Sequence, residues 1–174
     1  MTLGALLTKL SIWLALCAYA VGAGTLLLAR RRSRSITRAR FAWTLGAAFF
    51  LAHVVSAFTY YHHWSHAAAY RETALRTSEL TGLSWGGGIY LNYVFALAWL
   101  ADVAWWWLAS ESFARRSPKL TAIWQGFMFF MVFNGTVVFG PGPVRWLGVL
   151  ICGSLTTLWW HRRRANIASQ RPNA

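Results

Sequence analysis

Charge is scarce in this chain, and negative charge is almost absent. Only 12% of its 174 residues are charged, and only four are acidic. A soluble domain usually carries about a quarter charged residues, so a separate soluble domain is excluded. The acids are Glu72, Glu79, Asp102 and Glu111, and no two of them form a paired-carboxylate motif. Cysteine is equally rare. Cys17 and Cys152 both fall in apolar stretches, which marks them as small core residues and not as a disulfide or metal pair. No Gly-x-Ser-x-Gly elbow, rhomboid-type serine motif, phosphate-loop spacing or nucleic-acid-binding motif occurs. The net charge of +13 therefore does not imply a nucleic-acid partner.

What the chain has is apolar length. It is 57% hydrophobic and 17% aromatic. Five apolar stretches lie at approximately 10–29, 41–60, 83–109, 120–139 and 144–160. About twenty residues, rising ~1.5 Å each, cross a ~30 Å hydrocarbon core as a helix. The expected fold is all-α: a polytopic membrane protein with a bundle of five transmembrane helices. It forms a single domain over 1–167, with a disordered tail at 168–174. The first arginines follow the first apolar run instead of preceding it, so a retained helix is expected and not a cleaved leader. Gly140-Pro141-Gly142-Pro143 forces a tight turn between the last two spans.

The segment 65–80 is too polar to span. Ser65 can cap it, Glu72 and Arg76 stand one turn apart, and Gly82 follows its end. These signals predict a short amphipathic helix on the outer surface, lying in the interface.

Sidedness follows from the arginines. Thirteen of the seventeen basic residues fall on one side of the five-span reading. Arg30 to Arg40, Arg115, Arg116, Lys119, Arg162 to Arg164 and Arg171 share that side. Lys9, Arg71, Arg76 and Arg145 fall on the other. The arginine-rich side is expected to be cytoplasmic, with the amino terminus outside and the carboxyl terminus inside. A bacterial inner-membrane location, with anionic headgroups as partners, goes with that bias. The twelve tryptophans agree. Trp13, Trp64, Trp85 and Trp146 lie near outer ends. Trp43, Trp105, Trp106, Trp107, Trp124, Trp159 and Trp160 lie near inner ends, and only Trp99 is deep. Indole favours the headgroup level.

Three groups of polar residues could carry chemistry. The first is His62, His63 and His66 on the outer side. On one helix His62 and His66 would share a face, a spacing that chelates divalent metals through imidazole. Glu72, Glu79, Tyr60 and Tyr61 are the neighbouring candidates for further ligands. The alternative is an aromatic and imidazole belt. The second is the intramembrane pair His53 and Asp102, placed at similar depth on neighbouring antiparallel spans. It suits a proton relay, an oriented ligand or a polar clasp. Gln125 is a rival partner for Asp102. The third is a set of amides, Asn92, Gln125 and Asn134, which either bond across helices or line a cavity. Haem is not expected, because bis-histidine ligation needs two facing deep histidines and His53 alone is deep.

Two function classes fit these residues best. One is a binding or assembly subunit of an inner-membrane complex, with other membrane subunits as partners. The other is a small membrane metalloenzyme or redox protein that uses a divalent metal at the outer histidines. A proton or small-solute pathway through His53, Asp102 and Asn134 is a third.

Overall fold

The computed structural model describes residues 2–28 and 33–169. Among the described residues every regular element is helical. The chain runs through α1 (Leu3–Leu28), α2 (Ser33–Ala57), α3 (His66–Thr81), α4 (Gly88–Leu108), α5 (Ser110–Ala114), α6 (Pro118–Phe133) and α7 (Pro143–Ser169). A π-helical turn extends α2 over Phe58–His62, and another extends α6 over Asn134–Val138.

Four helical stretches are long and apolar enough to cross a membrane: Leu3–Leu28, Arg34–His62, Gly88–Leu108 and Pro118–Val138. Their length follows from composition, since α1 carries a single charge, Lys9, in 26 residues. The 27 residues of α7 are as long but less apolar. Arg145 sits near its start, Ser154, Thr156 and Thr157 interrupt its middle, and Arg162 to Arg164 follow.

The element ends differ from the sequence reading in four places. The first helix begins at Leu3 and so includes Lys9. The second begins at Ser33, which puts Arg34, Arg38 and Arg40 on a helix; arginine is a good helix former, and its stem packs while its head reaches water. Arg30, Arg31 and Arg32 lie outside the described residues. The third apolar helix begins only at Gly88, after a non-helical stretch over 83–87. The last helix continues to Ser169, so residues 168 and 169 are helical and not a disordered tail. Residues 170–174 lie outside the described residues.

The α3 signals were local and hold. Ser65 Oγ accepts from the Ala68 N–H at 3.2 Å. Gly82 closes the helix at φ 78°, a left-handed position that glycine adopts without steric cost.

The long helices pack antiparallel in sequence. Between α1 and α2, Thr8 meets His53 and Tyr19 meets Trp43. Between α2 and α4, Phe50 meets Phe95 at 4.8 Å and Trp43 meets Trp99 at 5.6 Å between ring centroids. Phe95 meets Phe127 of α6 at 6.1 Å. The last helix packs on α6 and then on α1, which closes the ring α1–α2–α4–α6–α7. It runs parallel to α1, because Leu150 to Leu158 lie along Ala20 and Gly24 while Arg162 reaches the carbonyls of Leu26 and Leu27.

Aromatic side chains fill the ring. Trp43 is 1% exposed and Trp99 2%, with Tyr19, Phe95, Met128 and Val132 around them. Trp43 and Trp106 are therefore core residues, not members of an interfacial belt. Small residues make room: Ala39 and Ala47 on α2 are buried, and Gly22 and Gly46 lie directly against indole rings. Trp64, Trp85, Trp146, Trp159 and Trp160 are exposed, as belt residues would be.

Candidate functional site

Asp102 anchors the most elaborate polar site in the bundle. It sits in the last third of α4. Its Oδ1 lies 2.8 Å from Nη1 of Arg116, and the two side chains are 9% and 10% exposed. Its Oδ2 accepts from the Trp43 indole N–H at 2.9 Å. Trp124 of α6 approaches the same carboxylate without reaching hydrogen-bond geometry. One carboxylate thus ties α2 to α4 and to the connection before α6.

The arginine is held from its other face as well. Its Cζ stands 4.1 Å from the Phe113 ring centroid, and Phe113 stacks on Trp106 at 4.5 Å and 9°. The short helix α5 turns the chain back under the bundle and delivers Phe113 and Arg116 together. Ser117 then caps α6, its Oγ accepting from Leu120 N–H at 3.1 Å, and Pro118 takes the first turn, where no N–H is needed. Nearby, Arg40 stands 4.0 Å above the Trp107 ring, and the Trp107 indole donates to Thr44 Oγ1 at 2.9 Å.

The expected His53–Asp102 pair is therefore corrected. The residue of α2 level with Asp102 is Trp43. His53 lies ten residues further along α2, about 15 Å along the axis. Its Nδ1 is 2.9 Å from the Thr8 carbonyl oxygen of α1. Gln125 is not the rival partner either; the α6 side chain beside the carboxylate is its neighbour Trp124.

His62, His63 and His66 do not converge. The sequence reading put His62 and His66 on one helix, but the helix breaks between them. His62 ends the π-helical turn, with its ring 5.4 Å from Phe58. His63 and Trp64 take left-handed φ values of 48° and 57°, and His66 begins α3. His66 faces α4 instead: Nδ1 is 3.0 Å from the Tyr93 hydroxyl and Nε2 is 3.4 Å from that of Tyr90. Among the described residues no three His, Cys, Asp or Glu side chains are grouped to hold a metal ion. The three-histidine metal site is corrected on that ground.

The amides do not form a lining. Asn134 Nδ2 donates to the Phe130 carbonyl at 2.9 Å within its own helix. Asn92 is exposed on the outer surface of α4, and Gln125 is half-buried. Concave surface lies elsewhere, on α7. A groove of about 210 Å³ runs between α1 and α7, lined by Ala20, Gly24, Leu150, Ser154, Leu155 and Leu158. Beside it the face of α7 over Val149, Gly153 and Thr157 forms a shallow open depression with no second helix as a wall.

The contacts also sort the basic residues. Arg40, Arg116 and Arg162 each reach the end of the bundle where α1, α4 and α7 finish and α2 and α6 begin. The π-helical turns, α3 and the Gly-Pro turn occupy the opposite end.

Sequence reasoning missed Arg116, Trp43, Tyr93 and Arg162. The run Phe113-x-x-Arg116 offered a weak signal, since it can set a guanidinium over a ring. The alanines and glycines of α2 hinted that a large ring packs beside them.

No family model, curated protein or solved structure matches the chain.

Proposed function

We propose that this chain is a bacterial inner-membrane protein with five spans, amino terminus outside and carboxyl terminus in the cytoplasm, that works as a binding or assembly subunit and does no chemistry of its own. The observation that carries this reading is that Asp102 and His53 each bond to partners on other elements inside the bundle, and Asn134 to a carbonyl of its own helix. A buried charge that is paired and hydrogen-bonded specifies how helices fit together. A catalytic or relay group needs an open coordination or proton position facing a cavity.

Two observations support the span count and the sidedness. The last helix lies parallel to α1, one of the four apolar spans, over its inner half. Arg40, Arg116 and Arg162 gather at one end of the bundle, as the positive-inside rule expects of a cytoplasmic face, against Arg71, Arg76 and Arg145 at the other.

Two experiments test the reading. Reporter fusions after α7 and in the connection before α2 read cytoplasmic, and a fusion at Arg71 reads external; a cytoplasmic result at Arg71 overturns the five-span arrangement. Photo-crosslinkers at Leu97 and Ile123, which are 69% and 70% exposed on α4 and α6, give discrete protein adducts in cells. Lipid adducts alone overturn the subunit assignment.

A further inference from the structure

The groove between α1 and α7 has an apolar length and a cationic end. Its α7 wall, Leu150, Ser154 and Leu158, follows an i, i+4, i+8 line that stays on one helix face. The next position on that line is Arg162. The stretch from Val149 to Leu158 rises about 13 Å, close to half of a ~30 Å hydrocarbon core. The opposite wall has almost no side chain. On α1 that wall is Ala20 and Gly24, and a Cβ on Gly24 would meet nothing within 4 Å.

The cationic end is built, not merely charged. Arg162 Nη1 donates to the Leu26 carbonyl at 3.0 Å and also to the Leu27 carbonyl. This fixes the guanidinium at the mouth of the groove through one of its nitrogens; among the described residues its other N–H donors make no hydrogen bond. Arg164 stands over Trp160 at 4.8 Å and Arg163 over Trp159 at 5.4 Å. Arg164 lies two residues on from Arg162, on the opposite face of α7, so Arg162 is the cation that stands at α1. Tryptophans flank the junction between the apolar strip and the arginines, the level at which glycerol and phosphate groups sit.

We infer that this groove is a binding site for one anionic phospholipid of the cytoplasmic leaflet. An acyl chain lies along Gly24, Leu150, Ser154 and Leu158, and the phosphate is held by Arg162. Charge complementarity selects the occupant: a neutral helix from another protein would leave the arginine unpaired, whereas basic pockets between membrane helices suit anionic headgroups. The inference rests on the proposed sidedness only for the choice of leaflet.

Native mass spectrometry of the full chain in detergent tests it, with phosphatidylglycerol and phosphatidylcholine of equal chain length as probes. The expected result is one retained phosphatidylglycerol, bound roughly fivefold more tightly than phosphatidylcholine, the factor that one arginine near the surface supplies. Gly24→Leu fills the open groove, so it removes the adduct while the melting temperature without lipid stays unchanged. Arg162→Gln reduces the preference, whereas Arg164→Gln, two residues on and on the opposite face of α7, leaves it unchanged. Excess inorganic phosphate does not displace the lipid. Equal binding of the two lipids, an unchanged adduct in Gly24→Leu, or displacement by phosphate each overturns the site. None of these outcomes touches the topology, which the reporter fusions decide separately.

Discussion

Gly46 and Trp99 fit as socket and plug. A Cβ on Gly46 would lie 2.8 Å from Trp99 Cζ2. The indole has nowhere to retreat, because Tyr19, Trp43, Phe50 and Phe95 surround it. The absence of a side chain at Gly46 is thus what lets α2 approach the tryptophan of α4. Gly22 plays the same part toward Trp43, at 3.2 Å from Cε3.

Gly46→Leu lowers the melting temperature in detergent by several degrees. Replacing a helical glycine favours the helix by about 1 kcal/mol, but overpacking a filled core costs typically about 1–3 kcal/mol, and leucine adds far more volume than one methyl. Gly126→Leu is the comparison, since a Cβ there meets nothing within 4 Å. Equal melting shifts at the two positions would show that the contact with Trp99 does not limit packing.

Asp102→Asn and Arg116→Gln each destabilise strongly, by about 3 kcal/mol or more, because each leaves a buried charge without its partner. The double variant costs clearly less than the sum. A double-mutant cycle between Asp102→Asn and His53→Phe is additive to within about 0.5 kcal/mol. Strong coupling in that second cycle would restore a His53–Asp102 contact and contradict the geometry.

His66→Phe loosens α3 and leaves the bundle intact. The imidazole's two tyrosine contacts are exposed, and each is worth about 1 kcal/mol or less. Hydrogen exchange over 66–81 quickens, while exchange in α2 around Trp43 does not change. Added zinc raises the melting temperature no more in the wild type than in His66→Phe. A zinc-dependent rise confined to the wild type would revive a metal site.

Sequence reading succeeded where the signal was local or cumulative. Apolar length located the four long spans, and Ser65 and Gly82 delimited α3 almost to the residue. It failed where partners come from different elements. Depth along a helix put His53 and Asp102 together, but depth counted from approximate span ends drifts by several residues. The true partner of Asp102, Arg116, belongs to a loop whose cations the sequence reading counts only as a sign of the cytoplasmic side. Nothing in the sequence announces that α5 folds that loop inward. The partner of His53 is a backbone carbonyl of Thr8, a group that every residue carries and that no pattern marks. The outer histidines were misread for a related reason. Their spacing assumed a continuous helix, and the left-handed residues His63 and Trp64, neither of them glycine, break it.

The closure of the ring by α7 against α1 sets an order on biosynthesis. At about 5–20 residues per second, the surface of α1 that α7 will cover waits on the order of ten seconds for the last helix to leave the ribosome. During that interval Leu26 and Leu27 lack the guanidinium that later caps their carbonyls. The half-built bundle therefore presents an open seam to any other helix in the bilayer, a period in which an insertase or a second subunit has its clearest access to this chain.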